Sequence, residues 1–123
     1  MEAIFNGSIW LRFSGGAVSH AQQLTEALAR MALGWKTAPN RYLMRDRGWL
    51  PMWRFKPTER IADAFQLLET DAVLDYVLRV DRHGVCWVKV RTTATSAEAS
   101  GTSLPLTICV AIARVYGIHV ESA

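Results

Sequence analysis

From Ser19 onward apolar residues recur at three- and four-residue steps. Ala21, Leu24, Ala27, Leu28, Met31 and Ala32 form one stripe, which predicts an amphipathic helix. Ser19 and Gln22 have capping-box spacing at its start, and Gly34 is placed to end it in a left-handed cap. A second helix is predicted from Pro57, with Thr58 as cap, Glu59 favoured by the helix dipole, and Ile61, Ala64, Phe65 and Leu68 as buried face. The period then drops to two. Leu74, Tyr76, Leu78 and Val80 alternate with Asp75, Val77, Arg79 and Asp81, the pattern of a half-buried strand. Residues 81–84, Asp-Arg-His-Gly, turn the chain, and 85–92 return with Cys86, Val88 and Val90 on one face and Val85, Trp87, Lys89 and Arg91 on the other. A third helix opens near Thr102 or Ser103, carries Pro105 in its first turn, and ends at Gly117. It is apolar on nearly every side, which predicts packing on both sides.

Three stretches lack such a period. In residues 4–13 an Asn6-Gly7 pair flanked by Ile4, Phe5, Ile9, Leu11 and Phe13 suggests a short hairpin, followed by a break at Ser14, Gly15 and Gly16. Residues 1–18 are therefore either this hairpin or a loosely attached extension. Residues 36–56 contain Pro39, Gly48 and Pro51 and read as a long loop, functional or ordered by its own aromatics. Residues 92–103, rich in Thr, Ser and Ala, read as a polar connection. The order helix, loop, helix, strand, strand, helix predicts one α+β domain over 19–119, with a small antiparallel sheet layered between helices. Two strands alone are marginal, so a third is expected from 4–13 or 50–56.

Composition narrows the class. At 123 residues, half hydrophobic and a fifth charged, the chain is long enough for one ordinary core and is not of disordered type. No apolar run approaches the roughly 18–20 residues of a membrane span. With no basic residue before Arg12, a secretory signal is not expected, and the expected location is a cytoplasm. Cys86 and Cys109 each lie in an apolar segment and are expected to be buried thiols. Neither a disulfide framework nor a metal site is expected from them and the three scattered histidines, and no cofactor is expected.

The net charge of +3 is concentrated. Residues 36–60 hold Lys36, Arg41, Arg45, Arg47, Arg54, Lys56 and Arg60 against Asp46 and Glu59, so the rest of the chain is net negative. Trp35, Tyr42, Trp49, Trp53 and Phe55 are interleaved with these cations. Such a mixture serves stacking on nucleic acid or nucleotides, and also protein interfaces, where Trp, Tyr and Arg dominate hot spots. Burying a tryptophan contributes on the order of 3–5 kcal/mol, so some of these rings must fold inward. Trp35 and Trp53 are expected inside, and Gly48-Trp49-Leu50-Pro51 is expected as an exposed tip.

Four segments carry a family resemblance: Leu24-Thr-Glu-Ala-Leu-Ala-Arg-Met-Ala-Leu-Gly-Trp35, the stretch from Pro57 to Glu69, the hairpin over 74–92, and Ser103-Leu-Pro-Leu-Thr-Ile-Cys-Val-Ala-Ile-Ala-Arg-Val115. In this order and spacing they resemble the phage ABA sandwich domain, with Phe65 where that family often carries tryptophan. The resemblance implies a phage or prophage accessory protein acting in the host bacterial cytoplasm.

Catalytic chemistry finds little support. No Gly-x-Ser-x-Gly elbow or P-loop lysine is present, and no catalytic residue is assigned. His83 near Asp81, and the acidic group Asp63, Glu69, Asp71 and Asp75, read as a turn and a solvated helix end. The expected activity is binding. The expected partner is a host protein, such as a defence or gene-expression component inhibited in anti-CRISPR-like fashion, met through Arg41, Arg45, Arg47, Trp49 and Arg54. Nucleotide or nucleic acid held by residues 36–60 is the alternative, and a homodimer is a further expectation because sheet edges need cover.

Overall fold

The three helical stripes form helices and 74–92 forms a hairpin, although Leu74, Tyr76 and Val80, expected on a half-buried face, are exposed; segments without a clear period form strands as well. The computed structural model describes residues 2–5, 8–12, 20–46 and 48–121, with side chains described for 21–46 and 48–118. In chain order these are β1 (Glu2–Phe5), β2 (Ser8–Arg12), α1 (His20–Met31), β3 (Lys36–Ala38), β4 (Arg41–Met44), β5 (Gly48–Pro51), a 3-10 turn (Met52–Arg54), α2 (Ile61–Leu68), β6 (Val73–Val80), β7 (Cys86–Thr92), β8 (Ser96–Gly101), α3 (Leu104–Val115) and β9 (Ile118–Glu121). The fold is α+β. Two sheets are antiparallel, ordered β3-β4-β5 and β6-β7-β8, and a third is ordered β1-β2-β9, with β9 parallel to β2.

The apolar character of α3 decides the layering. It packs on β7 and β8, and α1 and α2 pack on it. Thr107, Ile108, Cys109, Ala111, Ile112 and Ala113 are buried, facing Val88 and Val90 of β7 and Leu24, Ala27, Leu28, Ala64, Leu67 and Leu68 of the other helices within one core. Each fully buried Leu or Ile contributes about 1.5–3 kcal/mol. Ser103 caps α3, its Oγ accepting from the Leu106 amide at 3.5 Å, and Gly117 closes it at φ 71°. Gly34, also at φ 71°, follows α1 as expected. Ser19, the expected cap of α1, lies outside the described residues.

Three expectations are corrected. Residues 36–56 are not a structureless loop but the meander β3-β4-β5 and a 3-10 turn. The third strand of the 74–92 hairpin comes from neither 4–13 nor 50–56 but from the polar stretch, as β8. Its inward residues are small because α3 lies on it: Ala99 is buried, and a Cβ on Gly101 would stand 3.0 Å from Thr107 Oγ1. Finally, α2 starts at Ile61 rather than at Pro57. Residues 57–59 form a turn, with the Arg60 amide donating to the Lys56 carbonyl at 2.8 Å, and Arg60 provides no side-chain cap. Leu67 joins Ala64 and Leu68 in the core, whereas Ile61, expected on the buried face, is exposed.

Candidate binding surface

The meander owes its shape to an aromatic triad. Trp35, Tyr42 and Phe55 are all buried, with ring centroids 5.0–6.0 Å apart. Tyr42 lies in β4 between Thr37 of β3 and Leu50 of β5, so its buried ring, with partly buried Leu50 beside it, anchors the central strand of the meander to the core. Burial pushes its hydroxyl up to about 12, aided by nearby Glu26, although the Gln22 amide approaches the oxygen at 3.5 Å. Asn40 adopts φ 63° in the β3–β4 turn, a conformation asparagine tolerates, and Pro39 precedes it. Gly48 at φ 80° opens β5.

Because strand neighbours alternate, the residues flanking Tyr42 face outward. Cross-strand register puts Lys36, Leu43 and Trp49 in one row and Ala38, Arg41 and Pro51 in the next. Trp49 is 51 % exposed, and the Arg41 guanidinium lies 4.2 Å from its ring centroid. A cation held on an indole face is attracted by the ring quadrupole, worth about 0.5–1 kcal/mol at an exposed site. The expected tip residue is therefore on the surface, paired with one expected arginine. Lys36, one of the concentrated cations but not among the expected protein contacts, lies on the same face; the period-two relation between 41, 43 and 49 becomes readable only once the strands are known.

The other expected contact residues separate. Arg54 is exposed in the 3-10 turn, its guanidinium 5.6 Å from the centroid of Trp53. Trp53 itself is 64 % exposed, which corrects the expectation that it folds inward; Phe55 and Met52 fill the space beside the core instead. Arg45 is exposed in the β4–β5 turn, its Cδ 3.3 Å from where a Cβ on Gly34 would lie. With Asp46, Leu33, Trp35, Met44 and Gln66 it lines a cleft of about 230 Å³. That volume is below the 300–1,000 Å³ usual for drug-sized ligands. Arg47 lies outside the described residues.

The sequence did not mark a second cation–tryptophan pair, Arg79 over Trp87 at 5.1 Å, on the outer face of β6-β7-β8. There Trp87 Nε1 donates to Glu98 at 3.1 Å, and Arg91 donates from two nitrogens to Asp75, whose carboxyl this hydrogen bonding holds below its usual range. The acidic group from the second helix is dispersed accordingly. Asp63 accepts the Lys56 amide at 2.9 Å, Asp75 pairs with Arg91, and Glu69 and Asp71 are exposed. Asp81 accepts the backbone amides of His83 and Val85 at 2.8 and 3.0 Å, so it shapes the turn rather than orienting the imidazole. Cys86 and Cys109 are buried free thiols, and burial pushes Cys109 up to about 12. Among the described residues no group of three or more His, Cys, Asp or Glu is placed to hold a metal ion, and no helix is long and apolar enough to cross a membrane.

No protein-family model matches the chain, and no curated protein matches it. The chain is similar in fold to a phage protein from Bacillus cereus ATCC 14579, known from a 2.0 Å crystal structure, with a TM-score of 0.66 at 17 % identity, covering 90 % of this chain and 99 % of the other.

Proposed function

We propose that this chain is a phage or prophage accessory protein of the ABA sandwich type that acts in the host cytoplasm by binding a host protein, and that the outer face of β3-β4-β5 is its contact surface. The observation that carries this reading is the Arg41–Trp49 stack, with half of the indole still presented to solvent. An ordered Trp–Arg pair on a strand face has the composition of an interface hot spot and loses little further side-chain freedom on docking. The phage protein of like fold supports the origin, and the four sequence segments support the family. Inhibition of a defence or gene-expression component is the role this reading assigns, without catalysis.

The test is affinity recovery from host lysate, with and without nuclease, using the wild-type chain and the variant Arg41→Glu/Trp49→Ala. Nuclease-resistant recovery of a protein that the variant loses, at an unchanged thermal midpoint, supports the assignment. Equal recovery by both chains sinks it. Recovery that vanishes with nuclease and falls steeply with salt transfers the surface to nucleic acid instead.

A further inference from the structure

Strand β6 ends its sheet, so one of its edges is unpaired among the described residues. It is eight residues long and mostly apolar, Val-Leu-Asp-Tyr-Val-Leu-Arg-Val, without proline or lysine. Leu74, Tyr76, Val77 and Val80 are each 39–57 % exposed. A long edge of this kind is a template for another strand unless bulges or charges blunt it. The register shift lies at one end, between Val73 and Asp75, and from Asp75 to Val80 the ladder is regular.

We propose that β6 pairs antiparallel with β6 of a second copy of this chain, about a two-fold axis at Val77, joining two three-stranded sheets into one of six. Charge complementarity selects this occupant. Centring on Val77 sets Asp75 opposite Arg79 of the second copy and Arg79 opposite its Asp75, with Tyr76 facing Leu78 and Leu74 facing Val80. Centring one residue later, on Leu78, sets Asp75 against Asp81 of the second copy. Centring one residue earlier, on Tyr76, sets both charges against valines.

Backbone direction agrees. The Asp81 amide donates to the Val85 carbonyl at 2.9 Å, so the odd-numbered residues of β6 turn their backbone groups toward β7. Tyr76, Leu78 and Val80 therefore turn theirs to the free edge. In the Val77-centred register Tyr76 exchanges both hydrogen bonds with Leu78 of the second copy, and Val77 meets its equivalent in the wider-spaced hydrogen-bond window where side chains come closest. Arg79 is already held on the outer face by Trp87, and the Asp75 carboxylate, bonded to Arg91, has lone pairs left for a second guanidinium.

Sedimentation equilibrium of the full chain should show a reversible dimer, and Val77→Lys, which opposes two ammonium groups at the axis, should raise its dissociation constant at least about tenfold. Cross-linking tests the register independently. At a non-hydrogen-bonded pair the Cα atoms lie about 4.5 Å apart, within disulfide reach. Under mild oxidation Val77→Cys should give a covalent dimer and Arg79→Cys, on the same face but off the axis, should not. A chain that stays monomeric at about 100 µM, a dimer indifferent to Val77→Lys, or equal cross-linking by both cysteines overturns the proposal.

Discussion

The sheets β3-β4-β5 and β6-β7-β8 have the same connectivity, and each carries an arginine stacked on a tryptophan on its outer face. Their inner faces differ. In β6-β7-β8 the buried residues are Cys86, Val88, Val90 and Ala99, laid on α3. The strands are six to eight residues long, and their ladder supplies much of the order. In β3-β4-β5 the strands are three or four residues long, and Tyr42 with Trp35 and Phe55 takes the place of a continuous apolar face. One sheet is held along its length and the other at a single aromatic anchor, so damage should spread differently in the two.

Phe55→Ala should break the contrast most sharply. Removing a fully buried ring typically costs about 3–5 kcal/mol. Hydrogen exchange should then show protection lost first in β3-β4-β5, while β7 stays protected; uniform loss would mean that the two sheets unfold as one.

Alkaline pH probes one buried group on each side of the contrast. Tyr42 is raised from its ordinary 10 to about 12 and Cys109, in α3, from 9.0 to about 12. Unfolding frees both to ionise at their ordinary values, so the folded chain binds more protons over this range. The protonated groups' contribution is intact below about pH 9 and is lost as pH rises toward 12, by up to about 1.4 kcal/mol per pH unit for each group. Tyr42→Phe should remove only the part beginning near pH 10, while Cys109→Ala should remove the part beginning near 9. Denaturant titrations across pH 8–12 separate them.

Smaller effects sharpen the comparison at the turns and surface. Gly48 and Gly84 both sit at φ 80° with open space around a would-be Cβ, so alanine at either costs backbone strain alone, about 1–2 kcal/mol. Because β5 is the shorter strand, Gly48→Ala should lower the protection of its own sheet more than Gly84→Ala does. Smallest of all, Arg41→Glu should shift stability by no more than about 1 kcal/mol, measured as the denaturation midpoint.

The parts of the fold that could be read from the chain are those whose period is unbroken. The stripe through Leu24 and Leu28, the run through Ile108 and Ile112, and the alternation of Val88 and Val90 each encode an apolar face larger than local noise. Residues 36–56 carry no such signal because strands of three or four residues are too short to display alternation, and Pro39, Gly48 and Pro51 look like loop residues. The segment 96–101 hides its strand for another reason. Ala97, Ala99 and Gly101 are small because a helix lies over them, and small residues have little strand preference.

The candidate surface divides in the same way. The sequence by itself determined that cations and aromatic rings concentrate in one segment, and that the energy of burial must draw some rings inward. Which rings go inward was decided by tertiary structure. Tyr42 is buried because β4 is central in its meander, Trp49 is exposed because it sits on the outward phase of β5, and Trp53 is exposed because the 3-10 turn directs Phe55 to the core in its place. A side chain's environment follows from the phase of its strand against its neighbours, and that phase exists only once β3, β4 and β5 have paired and laid one face on the core.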